Sequence, residues 1–218
     1  MRRLSYLIVL LLVALSATGQ GLSSNITSCF KPEPIPAAVQ TRITGKSWRA
    51  NSDIQLADLR YLRVMYVDFD DREHMGELIC NAAIADDLAD IFRELYRARY
   101  PLASVKLIDD FGADDERSMT ANNTSCFCYR KIAGSRRVSK HALGRAIDIN
   151  PLLNPCVHLR GDTIVKVEPA AGRQYANRKR QFRGKIAQGD LCLRLFQQHG
   201  FKWGGTWRTK PDYQHFEK

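Results

Sequence analysis

Two stretches of this sequence carry side chains that could perform hydrolytic chemistry. The first holds His141 and Asp148 on either side of Gly144. After Gly144 apolar and polar residues alternate, which predicts a strand with Ile147 on the core face and Asp148 on the opposite face. A bend at Gly144 would bring His141 back toward Asp148. We therefore expect these two side chains to lie together at the start of a strand.

The second stretch lies near the C-terminus, where Asp212 and His215 follow Trp203-Gly204-Gly205. The spacing of Asp212 and His215 predicts one helical turn with both side chains on one face. Two His and one Asp would give zinc three protein ligands and an open fourth position for water, as in catalytic zinc sites. A carboxylate beside a ligating His can act as general base toward that water. Each residue alone has a common structural interpretation, so only their joint occurrence supports a site.

The composition is that of a globular protein rather than a disordered or fibrous one. The chain has 218 residues, 44% of them hydrophobic and 26% charged, and a formal net charge of +10. This length predicts one domain or two small ones. Six cysteines follow residue 28, and their even number favours disulfides in an oxidising compartment, although the spacing assigns no pairing.

The N-terminus predicts export. Arg2 and Arg3, an apolar run at residues 6–15 and small residues up to Gly19 are typical of a cleaved signal peptide, here residues 1–19. Residues 20–47 are polar and proline-rich, which indicates a linker or a draped N-terminal arm. No other stretch is apolar enough to span a bilayer. A periplasmic or extracellular location without a transmembrane segment in the mature chain is therefore predicted.

The remaining residues, 48–218, predict an α+β domain. Strands are expected at residues 62–69 and around residues 105–108, and a helix from about Glu77 to Arg97. A second helix begins after Asp190 as its N-cap and ends before Gly200. Strands and helices do not alternate regularly, which favours α+β over a parallel βαβ fold.

One segment is strongly basic, with six cations and two aromatic residues between Arg173 and Lys185. Such a segment is usually a solvated loop. An exported protein rarely meets nucleic acid, so no nucleic-acid partner is predicted. If the segment has a partner, an anionic polymer of the cell envelope is the better hypothesis.

Together the two motifs resemble a known family. Ser-x-His-x-x-Gly-x-Ala-x-Asp at residues 139–148, followed by Asp-x-x-His-Phe at residues 212–216 behind Trp-Gly-Gly, is similar to the zinc D-alanyl-D-alanine carboxypeptidases of the VanY and L-alanyl-D-glutamate peptidase type, peptidase family M15. The similarity extends from about Trp48 to the C-terminus. It implies a single domain in which a small antiparallel sheet flanked by helices carries one Zn²⁺.

The resemblance also implies roles for particular residues. Asp212 would be the catalytic base, and Arg130 would bind or polarise the substrate carbonyl or carboxylate, which suits a permanently charged group with several donors. The zinc ligands would be His141, Asp148 and His215. Further substrate-binding candidates are Ser139, Trp203 and Trp207, although the two tryptophans are equally compatible with a core role.

The function implied is a secreted zinc metallopeptidase, monomeric, that cuts peptidoglycan stem peptides. Whether it acts as a carboxypeptidase or an endopeptidase stays open. A cysteine peptidase using Cys126 or Cys128 with His141 is a second hypothesis, which an oxidising compartment disfavours. A non-catalytic, zinc-stabilised cell-wall binding module is the third, and the presence of Asp212 argues against it because a structural site needs no base.

Overall fold

Four short α-helices and four small sheets make up the part of the chain that this computed structural model describes, residues 29–51, 53–132 and 137–218. The predicted signal peptide lies outside these residues. The helices are α1 (Ala37–Ile43), α2 (Ala85–Arg97), α3 (Asp115–Thr120) and α4 (Leu191–Gln198). The strands are β1 (Leu59–Val67), β2 (Glu73–Asn81), β3 (Ser104–Val105), β4 (Asn123–Thr124), β5 (Ala146–Asp148), β6 (Cys156–Arg160), β7 (Thr163–Glu168), β8 (Lys202–Trp203) and β9 (His215–Glu217).

The longest element is the antiparallel hairpin of β1 and β2, with α2 packed against β1. The predicted helix from about Glu77 is wrong over its first part, because residues 77–81 belong to β2 and the helix begins at Ala85. Leu78, Ile79 and Cys80 are all buried, so this strand is covered on both faces and shows no alternation in sequence. Pairing with β1 outweighs local helical preference there.

The other predicted elements form with shifted ends. The first strand is observed as β1, and the second is reduced to β3, since Ile108–Phe111 is a 3₁₀ turn. The Asp190 side chain caps α4 by accepting hydrogen bonds from the backbone N–H groups of Cys192 and Leu193. Gly200 takes the left-handed conformation, φ +79°, that was expected after this helix.

A three-stranded antiparallel sheet in the order β5, β9, β8 carries the candidate ligands. Asp148 pairs with His215 across this sheet, and Ile147 pairs with Phe216. Ile147 and Phe216 are fully buried, and the Phe216 ring stacks on Phe196 of α4 at 4.1 Å. One face of the sheet is thus anchored in the core. The α+β class and the small antiparallel sheet predicted from the sequence are confirmed.

Residues 29–47 lie against β1. Glu33 pairs with Tyr61, the Phe30 N–H donates to the Arg63 carbonyl, and Ile43 of α1 is fully buried. Among the described residues no helix is long and apolar enough to cross a membrane. All six cysteines lie in the described part of the chain, where they are buried and no disulfide joins them.

Candidate active site

A short 3₁₀ turn, His141–Leu143, carries the first candidate ligand and ends at Gly144. Gly144 has φ +63°, and a Cβ added there would lie 2.6 Å from the Asn81 backbone nitrogen. Only glycine satisfies both the left-handed conformation and this close approach. The chain therefore bends at Gly144 and enters β5, as the sequence predicted, which brings His141 beside Asp148.

Three donor atoms converge at this bend. The distances are 3.2 Å from His141 Nε2 to His215 Nδ1, 3.1 Å from His215 Nδ1 to Asp148 Oδ1, and 3.4 Å from His141 Nε2 to Asp148 Oδ1. His141 and His215 are each 7% exposed. Bonds of 2.0 Å in a tetrahedron give ligand separations of about 3.3 Å, so the three atoms have the spacing that zinc requires.

Hydrogen bonds to the outer ring nitrogens orient both imidazoles and so determine which nitrogen of each ring faces the other candidate ligands. His141 Nδ1 lies 2.7 Å from the Cys126 carbonyl, and His215 Nε2 lies 3.2 Å from the Glu217 carboxylate. Because a carbonyl and a carboxylate only accept, each outer nitrogen donates its hydrogen, and in the neutral rings the inner nitrogens present lone pairs. Two lone pairs and a carboxylate oxygen facing one another repel unless a proton or a metal ion lies between them. The donor set therefore fits a zinc ion.

The ionisation of these groups indicates the same need for a cation. Burial raises the pKa of Asp148, but His141 and His215 more than offset this and hold it well below its usual value. Burial lowers the pKa of His215, whereas hydrogen bonds to Asp148 and Glu217 raise it to about 10. The cluster thus binds positive charge strongly.

Asp212 lies beside this cluster but not on a helix. The predicted helical turn is wrong, because Asp212 forms a β-bridge with Cys156 and His215 belongs to β9. Gly204 makes the position possible, since a Cβ there would lie 3.0 Å from the Asp212 Cβ. The Asp212 Oδ1 is buried with no hydrogen-bond partner among the described residues. Burial raises the pKa of Asp212, while the charge on His215 lowers it.

Arg130 forms an ion pair with Asp115, the first residue of α3. Its carbonyl accepts a hydrogen bond from the Ser139 N–H at 3.1 Å, which ties Arg130 to the loop that precedes His141. The charges of Arg130, His141 and Asp148 all act on the pKa of Asp115, so Asp115 also lies near the cluster. Sequence reasoning missed Asp115 because an acid in the first turn of a helix is common for its favourable interaction with the helix dipole alone.

The other substrate-binding candidates occupy different environments. Ser139 is 6% exposed, and its hydroxyl accepts a hydrogen bond from the His141 N–H. Trp203 is buried in the main core, and its Nε1 donates to the Tyr213 carbonyl. Trp207 is 39% exposed, with its ring centroid 5.3 Å from that of His215. Of the two tryptophans, Trp207 has the position of a cleft wall.

The cysteines of the second hypothesis do not resemble nucleophiles. Burial raises the pKa of the Cys126 thiol well above its usual value, and that of Cys128 to about 12. A thiol with such a pKa is protonated near neutral pH and is a poor nucleophile. His141 contacts the backbone carbonyl of Cys126, a bond that orients the imidazole ring.

A second group of metal-type side chains lies on the β6–β7 hairpin. Ligand atoms of Cys156, His158 and Glu168 lie within 4.8 Å of one another. Glu168 is already neutralised, with the Lys166 ammonium at 2.5 Å and the Lys210 ammonium at 3.5 Å. This group is therefore an ion-pair network in which lysine ammonium groups already balance the charge of the Glu168 carboxylate.

Much of the basic segment is structural. The Arg178 guanidinium donates to the carbonyls of Leu153 and Ile186, and it lies 4.4 Å from the ring centre of Tyr213. Tyr213 directly follows Asp212, so this contact supports the stretch that carries Asp212 and leads into β9. Arg183 pairs with Asp71 in the β1–β2 turn.

Comparison with known proteins finds a family similarity in the C-terminal part of the chain. The model of the D-alanyl-D-alanine carboxypeptidase family matches residues 133–218, a range that contains the three candidate ligands and Asp212. Arg130 and Asp115 precede it. No curated protein and no solved structure matches the chain. The match confirms the resemblance carried by the two motifs, and it makes the segment that holds the site, residues 133–218, similar to the D-alanyl-D-alanine carboxypeptidase family of peptidases.

Proposed function

We propose that this protein is an exported, monomeric zinc peptidase that hydrolyses peptide bonds in peptidoglycan stem peptides. The observation that carries this proposal is the convergence of two imidazole nitrogens and a carboxylate oxygen within 3.4 Å of one another. The family match supports peptidase chemistry on this segment. Residues 1–19, with the composition of a signal peptide, support export.

His141, Asp148 and His215 would hold the metal, leaving a fourth position open. Zinc at such a site supplies Lewis acidity, which lowers the pKa of water and polarises a carbonyl. The fixed outer hydrogen bonds to Cys126 and Glu217 keep both imidazoles in the tautomer that faces inward. The sheet pairing of Asp148 with His215 keeps the ligands together before any metal arrives.

Asp212 is the proton carrier in this proposal. Its carboxylate is buried without a hydrogen-bond donor on Oδ1, and its pKa is raised, so it accepts a proton from the attacking water more readily than a solvated aspartate. The same proton then passes to the leaving amine as the peptide C–N bond breaks. Asp212 thereby returns to its ionised form.

Arg130 stabilises negative charge on the substrate. The guanidinium keeps its charge through the reaction and offers several donors to the oxygen of the scissile carbonyl as charge develops on it. Trp207, half-exposed beside His215, would contact the substrate backbone or side chains. The substrate's terminal carboxylate is a second possible partner for Arg130, which distinguishes carboxypeptidase from endopeptidase action.

The test is mass spectrometry of purified muropeptides incubated with the mature protein, with and without a metal chelator, beside the Asp212→Ala variant. We expect a loss of mass that the chelator abolishes and that the variant does not produce. The fragment removed identifies the bond, D-alanine for a carboxypeptidase and a longer peptide for an endopeptidase. Zinc binding without any turnover by the wild type would contradict the proposal and favour the cell-wall binding module.

A further inference from the structure

The Asp115 carboxylate has no role in the mechanism above, although it contacts Arg130. Asp115 begins α3 directly after the N-cap Asp114, whose side chain accepts a hydrogen bond from the Arg117 N–H. The position of Asp115 is thus set by the start of a capped helix. Its Oδ2 forms the ion pair with Nε of Arg130.

The contact at Nε leaves the reactive end of the side chain free. A guanidinium has five N–H donors, one on Nε and four on the two terminal nitrogens. The ion pair at Nε restricts the movement of the guanidinium, and the four terminal donors remain for another oxygen. The Arg130 main chain is held as well, because its carbonyl accepts the Ser139 N–H. Both ends of Arg130 are therefore tied, one to α3 and one to the ligand loop.

We propose that Asp115 is a positioning residue that orients the Arg130 guanidinium toward the substrate oxygen at the metal site. This inference rests on the proposed function. Its support is the ion pair together with the nearness of Asp115 to His141 and Asp148, whose charges act on it. An arginine released from this contact would have to be ordered by the substrate, which costs side-chain entropy in the reaction.

The test is a double-mutant cycle of Asp115→Asn and Arg130→Gln, with kcat and KM measured on a disaccharide pentapeptide. We expect Asp115→Asn alone to lower kcat at least about tenfold with a smaller change in KM, because the lost orientation acts on the transition state. Adding Asp115→Asn to Arg130→Gln should change kcat by less than about twofold, since Asp115 acts only through Arg130. Asp115→Glu should recover part of the lost rate.

Glu116→Gln is the matched control. It removes one negative charge from the neighbouring position of α3. The Glu116 carboxylate accepts a hydrogen bond from the Ala170 N–H and does not pair with Arg130. This variant should keep kcat within about twofold of the wild type. Zinc content and melting temperature should be unchanged in Asp115→Asn, which separates loss of orientation from loss of the fold.

The outcomes separate this inference from the proposed function. The positioning role is refuted if the wild type cleaves and the decreases in kcat of the two single variants multiply in the double variant. It is also refuted if the kcat of Asp115→Asn equals that of the wild type. In both cases the peptidase function stands. If the wild type binds the pentapeptide without cleaving it, peptidase function is refuted, and the same cycle applied to the dissociation constant decides the role of Asp115. If the wild type neither cleaves nor binds it, both proposals are overturned.

Discussion

The described part of the chain contains two groups of three metal-type side chains, and they differ in what surrounds them. In the β5–β9 sheet, the inner atoms of His141, Asp148 and His215 face one another, and the outer nitrogens of the two histidines donate to acceptors. In the β6–β7 hairpin, Glu168 is approached by His158 and by the ammonium groups of Lys166 and Lys210. No lysine or arginine of the described residues pairs with the three ligands of the first group, whereas two lysines pair with Glu168 in the second.

This difference shows that closeness of ligand atoms alone does not indicate a metal site. Both groups satisfy the same distance criterion. They differ in burial as well, since His141 and His215 are buried and the hairpin's His158 and Glu168 are only half-buried. A dry cluster with an unbalanced negative potential gains most from a metal ion, because water does not compete there.

Replacement of a histidine should have the largest effect, and it tests directly which of the two groups binds zinc. His141→Ala or His215→Ala should weaken zinc binding by more than about 100-fold, since even losing a partner of a ligand costs about 10- to 100-fold. His158→Ala is the matched control and should retain the full zinc content. Elemental analysis after dialysis measures all three. A normal zinc content in both first variants, or a lower one in His158→Ala, would reverse the assignment of the two groups.

The second-largest effect is expected for replacement of Asp212, the proposed base. Asp212→Asn should keep the zinc and lower kcat by about 10²- to 10⁴-fold, the usual contribution of a general base. In the wild type, activity should fall as pH drops through the pKa of Asp212, which burial places above its usual value. Steady-state assays on muropeptides across the acidic range measure this limb. A variant that retains the wild-type rate would show that Asp212 is not the base.

The hairpin group should respond in stability instead of activity. Burial raises the pKa of Glu168, but Lys166 and His158 more than offset this and lower it to about 2. The stabilisation is therefore complete above the unfolded pKa near 4.5 and is lost as pH falls toward 2. Glu168→Gln should cost about 1–2 kcal/mol at pH 7. The difference from the wild type in urea unfolding should shrink between pH 5 and pH 3, and a constant difference would contradict the network.

The smallest expected effect belongs to Trp207 at the edge of the metal group. Trp207→Ala should raise KM about fivefold and leave kcat nearly unchanged, because a cleft wall contributes about 1 kcal/mol of contact with the substrate. The melting temperature should not change, since the ring is 39% exposed. Trp203→Ala is the contrasting variant, which should unfold at a clearly lower temperature because that ring is buried in the core. Equal thermal shifts in the two variants would place both rings in the core.

The sequence predicted the ligand cluster better than the elements around it. His141, Gly144 and Asp148 lie within eight residues. The bend and the strand that follows it are therefore determined by the same short stretch that carries two of the candidate ligands. His215 could be placed only through its motif, because its contact with Asp148 depends on strand pairing across 67 residues. Long-range pairing of this kind leaves no periodic signal in the chain.

The two errors have the same origin. Residues 77–81 and 212–215 were expected to be helical from spacing, and both are held in extended or turn conformations by partners distant in sequence. The bridge of Asp212 to Cys156 opposes a helix there. Asp115 was not predicted because its significance lies in Arg130, which belongs to a separate loop.

The distance in sequence between Asp148 and His215 has a consequence for the order of events in folding. The unfolded chain cannot bring these two ligands together without closing a loop of 67 residues, so a metal ion gains little before β9 has docked beside β5. Bound metal should therefore slow unfolding while leaving the refolding rate nearly unchanged. In such a protein the metal stabilises a structure that has already formed, so the lifetime of the folded state would depend on the metal more than its assembly does.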